Sequence, residues 1–194
     1  MKPFGERDLL GRVFTHDFGV LCGIFKAGQV AKQKPLIGQY GRASWSARLD
    51  SQLGALHFES EKNLIAALFA KPGRVKYANA CFALLSALLP ERERYEKLYA
   101  QTLRLFDAAG KDFDYLAWEL ILLSELGYGL APDRCGNCGA AENLKYISPK
   151  SGRAICESCG APFREKLFAL PLSLEITKYF LSQIRELPPI RNLI

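Results

Sequence analysis

Long apolar runs are missing from this sequence. No stretch reaches the roughly 18 uninterrupted apolar residues of a membrane span, and residues 1–10 contain no apolar segment that could serve as a signal sequence. We therefore expect a cytoplasmic protein that makes no membrane contact.

The common catalytic and nucleotide-binding motifs are also missing. The chain contains no G-x-x-x-x-G-K-[ST], no G-x-S-x-G and no G-x-G-x-x-G. Its two histidines, His16 and His57, have no nucleophile pattern beside them, so we interpret both as strand residues. Asp112 and Asp114 could be imagined as paired acids, but their place beside Lys111 favours helix capping. These absences favour a protein that is not an enzyme.

Cysteine is too scarce for a disulfide scaffold, since the 194 residues include only six. Four of the six have metal-ligand spacing. They form two C-x2-C knuckles, each followed by glycine and separated by 17 residues, at Cys135, Cys138, Cys156 and Cys159. This pattern predicts one structural Zn²⁺ ion, because four thiolates leave no coordination position open for water.

Other roles for the cysteines fit the pattern less well. A pair of redox motifs would require a C-x-x-C at a helix start within a strand-helix-strand unit, whereas these pairs lie in a glycine-rich loop. Cys22 in an apolar strand and Cys81 in an apolar helix are expected to fill the core.

Acidic residues are scarce near the N terminus. Residues 1–48 hold eight basic and three acidic side chains, a net charge of +5, whereas the rest of the chain carries a net charge of +1. Such a segment attracts polyanions such as nucleic acid. The predicted phosphate contacts are Arg7, Arg12, Lys26, Lys32, Lys34, Arg42 and Arg48.

Aromatic residues are interleaved with these cations, at Phe14, Phe18, Phe25, Tyr40, Trp45 and Phe58. Aromatic faces accept unstacked bases of single-stranded nucleic acid, but the same residues also suit the core of a small barrel. Alternation in the sequence does not show which face is outward, so both interpretations stay open.

The hydrophobic period changes from two to 3.6 near residue 60. Short strands are predicted over 11–18, 20–27, 35–40, 43–49 and 53–59, with a polar connection over 28–34. Helices are predicted over 63–70, 75–89, 91–108, 112–126 and 173–187. This order indicates an α+β protein with a small N-terminal barrel followed by helices.

Three segments of the chain carry family motifs. The first is the opening Pro3-Phe4-Gly5-Glu6-Arg7-Asp8 with Val13-Phe14-Thr15 and Gly19. The second is 119–128, Glu-Leu-Ile-Leu-Leu-Ser-Glu-Leu-Gly-Tyr, which leads into the first knuckle, and the third is 146–154 before the second knuckle. Through these segments the chain resembles the RecO family of bacterial recombination mediators over nearly its whole length. The chain begins close to the family's Gly-Glu motif, so we expect its barrel to lack most of the first strand.

The resemblance implies an OB-fold domain over 1–60 and a helical domain over 61–194 that carries a zinc loop at 135–159. It implies a nucleoid-associated protein that binds single- and double-stranded DNA and anneals complementary strands without ATP. It also implies partnership with RecR and with the acidic C-terminal tail of the single-stranded DNA-binding protein. Through these partners the protein would assist RecA loading indirectly. The alternative is a zinc-containing interaction scaffold that recognises an acidic peptide tail and has only incidental DNA affinity.

Overall fold

The computed structural model of this chain describes residues 1–32, 34–49, 52–69, 72–107 and 114–194. The chain forms two compact units. The first consists of Met1–Phe113 with Pro188–Ile194, and the second consists of Asp114–Leu187. The division into domains 1–60 and 61–194 remains a prediction.

A five-stranded sheet forms the N-terminal part of the first unit. Its strands are β1 (Lys2–Phe4), β2 (Asp8–Thr15), β3 (Gly19–Phe25), β4 (Gln39–Ser46) and β5 (Gly54–Asn63). The strand order is β1-β2-β3-β5-β4, and only β3 and β5 run parallel. Among the described residues the two edge strands do not pair with each other. The mixed α+β architecture agrees with the sequence, but these pairings do not establish a closed OB-fold barrel.

Two local predictions in this sheet were wrong. The strands predicted over 35–40 and 43–49 are one strand, β4, which carries an irregularity between Tyr40 and Gly41. The polar connection predicted over 28–34 contains helix α1 (Ala27–Lys32), and Gln33 lies outside the described residues. Asp8 of β2 anchors the start of this helix, because its Oδ1 accepts a hydrogen bond from the N–H of Ala27, the first helical residue, at 2.8 Å.

The first unit also contains two longer helices, α2 (Pro72–Leu88) and α3 (Glu96–Asp107), and a 3₁₀ helix at Pro189–Leu193. The helix predicted over 63–70 was wrong, because β5 continues to Asn63 and only a 3₁₀ turn follows, at Ala66–Leu68; residue 70 lies outside the described part. The helix predicted over 91–108 begins five residues later than expected, and residue 108 is not described.

Contacts with the sheet delay the start of α3. Glu91 forms a bridge with Val20, and the N–H of Arg92 donates to the Val20 carbonyl at 2.9 Å. Arg92 has a φ of 64°, in the left-handed region, which is incompatible with a continuing helix. The buried side chains of α3 lie on one face, and Phe106 stacks on Phe82 of α2 with 5.1 Å between ring centroids.

The second unit contains a four-stranded sheet and three helices. The elements are α4 (Tyr115–Glu125), β6 (Ala131–Cys135), β7 (Leu144–Ile147), β8 (Arg153–Cys156), α5 (Glu157–Gly160), β9 (Phe168–Ala169) and α6 (Leu174–Ile184). The strand order is β6-β8-β7-β9. The segment 135–159, which we predicted as a glycine-rich loop, therefore includes two strands of a small sheet.

Caps and a buried polar pair organise the helices of this unit. Asp114 caps α4 by accepting a hydrogen bond from the N–H of Ala117 at 2.8 Å, as predicted, whereas Asp112 lies outside the described residues. Thr177 of α6 donates a hydrogen bond to Oε2 of Glu119 on α4, and both residues are fully buried. Across the described residues, no helix is both long and apolar enough to cross a membrane.

Candidate metal centre and nucleic-acid interface

The two cysteine knuckles come together in the second unit. Cys135 ends β6 and Cys138 lies in the turn that follows, while Cys156 ends β8 and Cys159 lies in α5. Their four Sγ atoms all lie within 4.8 Å of one another. This distance suits four ligands of a single ion, because thiolates bind zinc at about 2.3 Å in tetrahedral geometry. The four cysteines could therefore hold one metal ion.

Backbone and side-chain donors surround these sulfur atoms. Hydrogen bonds from the backbone N–H groups of Cys138, Cys156 and Asn137 lower the pKa of Cys135 to about 6. The hydroxyl of Ser158 is the largest influence that lowers the pKa of Cys156. The side-chain amide of Asn137 also donates to Sγ of Cys159 at 3.3 Å. Donors of this kind stabilise thiolates, the form that binds metal.

The thiol of Cys138 differs from the others in its exposure and proton affinity. The N–H of Ala140 lowers its pKa, but hydrogen bonds with the three neighbouring thiols outweigh that effect and raise the pKa to about 11. Four adjacent thiolates repel one another, so without a cation at least one thiol retains its proton. A divalent metal would remove that proton, and the donor set therefore fits a thiolate-bound ion.

The seven cations predicted to contact DNA all lie in the first unit. Arg7 lies in the turn after β1, Arg12 in β2, Lys26 directly before α1, Lys32 at the end of α1, Lys34 in the following loop, Arg42 in β4 and Arg48 just after β4. All seven are exposed. The first unit contains 18 basic and 11 acidic side chains, whereas the second contains eight basic and nine acidic ones. The positive charge of the protein is thus concentrated in the unit that carries the predicted contacts.

Three of the seven cations already have carboxylate partners. Nη2 of Arg12 lies 2.8 Å from Oε1 of Glu91, and its Nη1 donates to the carbonyl of Ser86. Nζ of Lys26 lies 3.1 Å from Oδ2 of Asp8. The Nε of Arg42 lies 3.3 Å from a carboxylate oxygen of Glu61. These carboxylates would compete with phosphate groups for the same donors.

The other four cations are Arg7, Lys32, Lys34 and Arg48, and they form no ion pair with a described carboxylate. Their charges are thus available to an external anion. Sequence spacing could not show which cations have carboxylate partners, because a partner can lie far away in the chain. Glu91, for example, is 79 residues from Arg12.

Three of the six interleaved aromatic rings are occupied by contacts within the first unit. Phe25 is buried, and Phe14 packs edge-on against Tyr99 of α3 at 5.4 Å between centroids. The indole of Trp45 donates to the carbonyl of Cys22, while the guanidinium of Arg92 lies 4.4 Å from its ring centroid. Phe18, in contrast, is 64% exposed. Sequence reasoning missed Arg92, because nothing in its neighbourhood signals that it covers a tryptophan 47 positions earlier.

A groove in the first unit is lined in part by residues that sequence patterns did not indicate. An open groove of about 510 Å³ lies in the first unit between α1 and strands β4 and β5. Ser44, Ser46 and His57 line it together with the predicted residues Lys26 and Lys32. Serines in a strand give no sequence signal of their own. His57 was interpreted only as a strand residue, which its place in β5 confirms.

The other histidine, His16, lies in the turn after β2, so its assignment to a strand was wrong.

Residues 71–191 match the family model described as "Recombination protein O C terminal". The chain belongs to the RecO family. A RecO relative described as "DNA repair protein RecO" from Rhodospirillum centenum is 38% identical over 177 residues, which cover 88% of this chain and 71% of the relative. The RecO protein of Bartonella quintana is 38% identical over 88% of this chain and 72% of its own length. That of Cereibacter sphaeroides is 35% identical over 99% of this chain and 87% of its own length.

Proposed function

We propose that this chain is a DNA repair and recombination mediator that binds single- and double-stranded DNA and anneals complementary strands without ATP. It would assist RecA loading onto DNA coated with the single-stranded DNA-binding protein, and it would have no enzymatic activity of its own. Membership of the RecO family, whose relatives are described as DNA repair proteins, supports the repair role. Under this proposal the protein acts in the bacterial cytoplasm, associated with the nucleoid.

The concentration of positive charge in the first unit is the observation that carries the proposed mechanism. A basic surface can hold two phosphate chains close together, which lowers the repulsion that slows strand pairing. Such annealing requires charge neutralisation but no hydrolysis of ATP. We propose that phosphate is bound most directly by the four cations that have no carboxylate partner among the described residues, Arg7, Lys32, Lys34 and Arg48. Arg12, Lys26 and Arg42 would contribute after exchange of their carboxylate partners.

The metal centre has a structural role in this proposal. The ion would be Zn²⁺, held by the four cysteines, and it would join β6, β8 and α5 of the second unit. Because four thiolates complete a tetrahedral shell, this centre would activate no water molecule. We also propose that the N-terminal sheet is part of an OB-fold, as the family resemblance implies.

Titration of a labelled single-stranded oligonucleotide with the purified chain, followed by fluorescence anisotropy across a salt series, tests DNA binding. If about four cations contact phosphates, the logarithm of affinity should fall against the logarithm of salt concentration with a slope of about −3, at about 0.7 per contact. Arg48→Gln should make the slope shallower, whereas Arg153→Gln in the second unit is the matched control. Absence of saturable binding at low salt by folded, metal-loaded protein would contradict the proposal.

Partner binding is tested separately with a labelled acidic C-terminal peptide of the single-stranded DNA-binding protein and with purified RecR. The mediator proposal expects the protein to bind the peptide, RecR and DNA. Tight peptide binding without DNA binding would instead favour the interaction scaffold. Fluorescence measurements of strand pairing, with and without ATP, complete the test, because annealing that required ATP would contradict the mechanism.

A further inference from the structure

The groove beside α1 has a polar floor made by two paired strands. In the register of β4 and β5, Ser44 lies opposite His57 and Ser46 lies opposite Ala55. Directly paired residues point to the same face of an antiparallel sheet, and Ser44, Ser46 and His57 are all exposed. Leu56, the next residue along β5, is buried. The strands thus present two hydroxyls and an imidazole to the groove.

Helix α1 forms the wall of this groove, and polar contacts hold it there. Its six residues include no buried side chain, so burial in a core does not fix its position. Instead, Asp8 accepts from the N–H of Ala27 at 2.8 Å and pairs with Lys26 at 3.1 Å. Near the middle of the helix, Nε2 of Gln29 donates to the carbonyl of Phe58 at 2.8 Å. These anchors hold Lys32, at the end of α1, along the edge of the groove.

The free polar groups of the groove suit a phosphodiester. Lys32 forms no ion pair with a described carboxylate, and no hydrogen bond links the Ser44, Ser46 or His57 side chains to another described side chain. A flexible ammonium together with hydroxyl and imidazole donors is a combination that binds phosphate oxygens. Glu59 is the carboxylate among the lining residues, and it lies opposite Arg42 in the strand register, next to a positive charge.

We propose that this groove is a subsite for the backbone of single-stranded nucleic acid, in which Lys32, Ser44 and His57 contact one phosphate and its sugar. A volume of about 510 Å³ is within the range of sites that hold small organic ligands, so a short stretch of one strand would occupy it. This inference rests on the proposed DNA binding and assigns it a path along β4, β5 and α1. Ser44, Ser46 and His57 thereby acquire a role that their sequence context did not indicate.

Substitutions on the groove floor test the path. Ser44→Glu places a negative charge beside the proposed phosphate. Ser44→Gln is its matched control, because glutamine is neutral and nearly the same size as glutamate. Ser151→Glu, an exposed position in the second unit, repeats the change of net charge away from the groove. We expect Ser44→Glu to weaken single-strand binding roughly threefold to fivefold relative to Ser44→Gln, while Ser151→Glu binds like the unaltered chain.

A second pair of variants separates the groove from the surrounding basic surface. Lys32→Gln removes the cation on the groove wall. Lys97→Gln removes an exposed cation of α3 that belongs neither to the groove lining nor to the predicted phosphate contacts, so its salt slope should not change. We expect Lys32→Gln to make the salt slope shallower by about 0.7. His57→Gln should lower the yield of ultraviolet crosslinks between a 4-thiothymidine oligonucleotide and β5, mapped by mass spectrometry. Circular dichroism of each variant confirms that the fold is retained.

The outcomes distinguish this inference from the proposed function. If the unaltered chain binds DNA but Ser44→Glu, Ser44→Gln and Ser151→Glu have equal affinities and no crosslink maps to β5, the groove assignment is wrong and DNA binding stands. If the unaltered chain does not bind DNA at low salt, both proposals fail. Weakened binding by Ser44→Glu and Lys32→Gln, with crosslinks on β5, supports the groove.

Discussion

Nη2 of Arg12 and Oε1 of Glu91 lie 2.8 Å apart and join β2 to the segment between α2 and α3. The same guanidinium donates to the carbonyl of Ser86, at the end of α2. One residue further on, the N–H of Arg92 donates to Val20 of β3 at 2.9 Å. The β2–β3 hairpin is therefore attached to the helical part of the first unit by polar contacts, in addition to the packing of Phe14 on Tyr99.

Substitution of Arg12 should destabilise the first unit. Arg12→Met removes the ion pair and the hydrogen bond to Ser86, and because both charged side chains are partly exposed we expect a loss of only about 1 kcal/mol. Urea unfolding measures this change. Arg48→Met removes the same charge from an exposed position with no described partner, so its unfolding midpoint should not move. An unchanged midpoint for Arg12→Met would show that the attachment contributes nothing to stability.

Glycine at position 19 is required by a close backbone approach. Gly19 has a φ of +61°, and a Cβ atom there would lie 1.7 Å from the carbonyl oxygen of Glu93. We expect Gly19→Ala to lower the free energy of unfolding by at least about 2 kcal/mol. Gly73, near the start of α2, has no neighbouring atom within 4 Å of an added Cβ, so Gly73→Ala should be neutral or stabilise by up to about 1 kcal/mol. Thermal unfolding of both variants provides the comparison.

The position of α1 should depend on pH through Asp8. Hydrogen bonds from the N–H of Ala27 and from Lys26 lower the pKa of Asp8 below its ordinary value of 3.8. Because the pKa is lower in the folded state, the stabilisation is complete above about pH 4 and is lost as the pH falls through the folded-state pKa. We expect the chemical shifts of α1 to change in this acidic range. In Asp8→Asn the shifts of α1 should no longer titrate there, and a persistent titration would assign it to another group.

Loss of one knuckle cysteine should remove the metal and destabilise the second unit. Cys138→Ser deletes a ligand, and because metal binding and folding are coupled we expect a loss of more than about 3 kcal/mol with the bound zinc. Elemental analysis by mass spectrometry measures the metal, and thermal unfolding measures the stability. Cys22→Ser, in β3 of the first unit, is the control and should retain one ion per chain. Full zinc content in Cys138→Ser would contradict the four-cysteine site.

The hydrogen bond between Thr177 and Glu119 should stabilise the pairing of α6 with α4. Thr177→Val keeps the side-chain shape but removes the hydroxyl, which takes one donor from a buried carboxyl group. We expect a loss of about 1–3 kcal/mol in the free energy of unfolding. Thr177→Ser retains the hydroxyl and should lose much less. Equal stabilities for the two variants would show that the hydroxyl has no part in the effect.

Local sequence information was sufficient for the features that depend on nearby residues. Two C-x2-C pairs with following glycines determined which four cysteines converge, because each knuckle is a short local turn. The 3.6-residue period located α2, α4 and α6 to within a few residues, and Asp114 was correctly predicted as a cap. Local patterns failed to predict helix boundaries where a distant segment makes contact. Helix α3 begins late because Glu91 and Arg92 bind the sheet instead of continuing a helix.

The sequence by itself determined which four cysteines converge, the change from strands to helices after the N-terminal sheet and the surplus of positive charge in the N-terminal segment. The tertiary structure decided which cations are paired, which aromatic rings are covered and which polar residues line a groove. Arg12 and Arg42 look alike in the sequence, because both are basic residues among the predicted phosphate contacts. Only the structure shows that Arg12 attaches β2 to the end of α2. Ion pairs and grooves of this kind arise between segments up to 79 residues apart, so they depend on how the elements pack rather than on any local pattern.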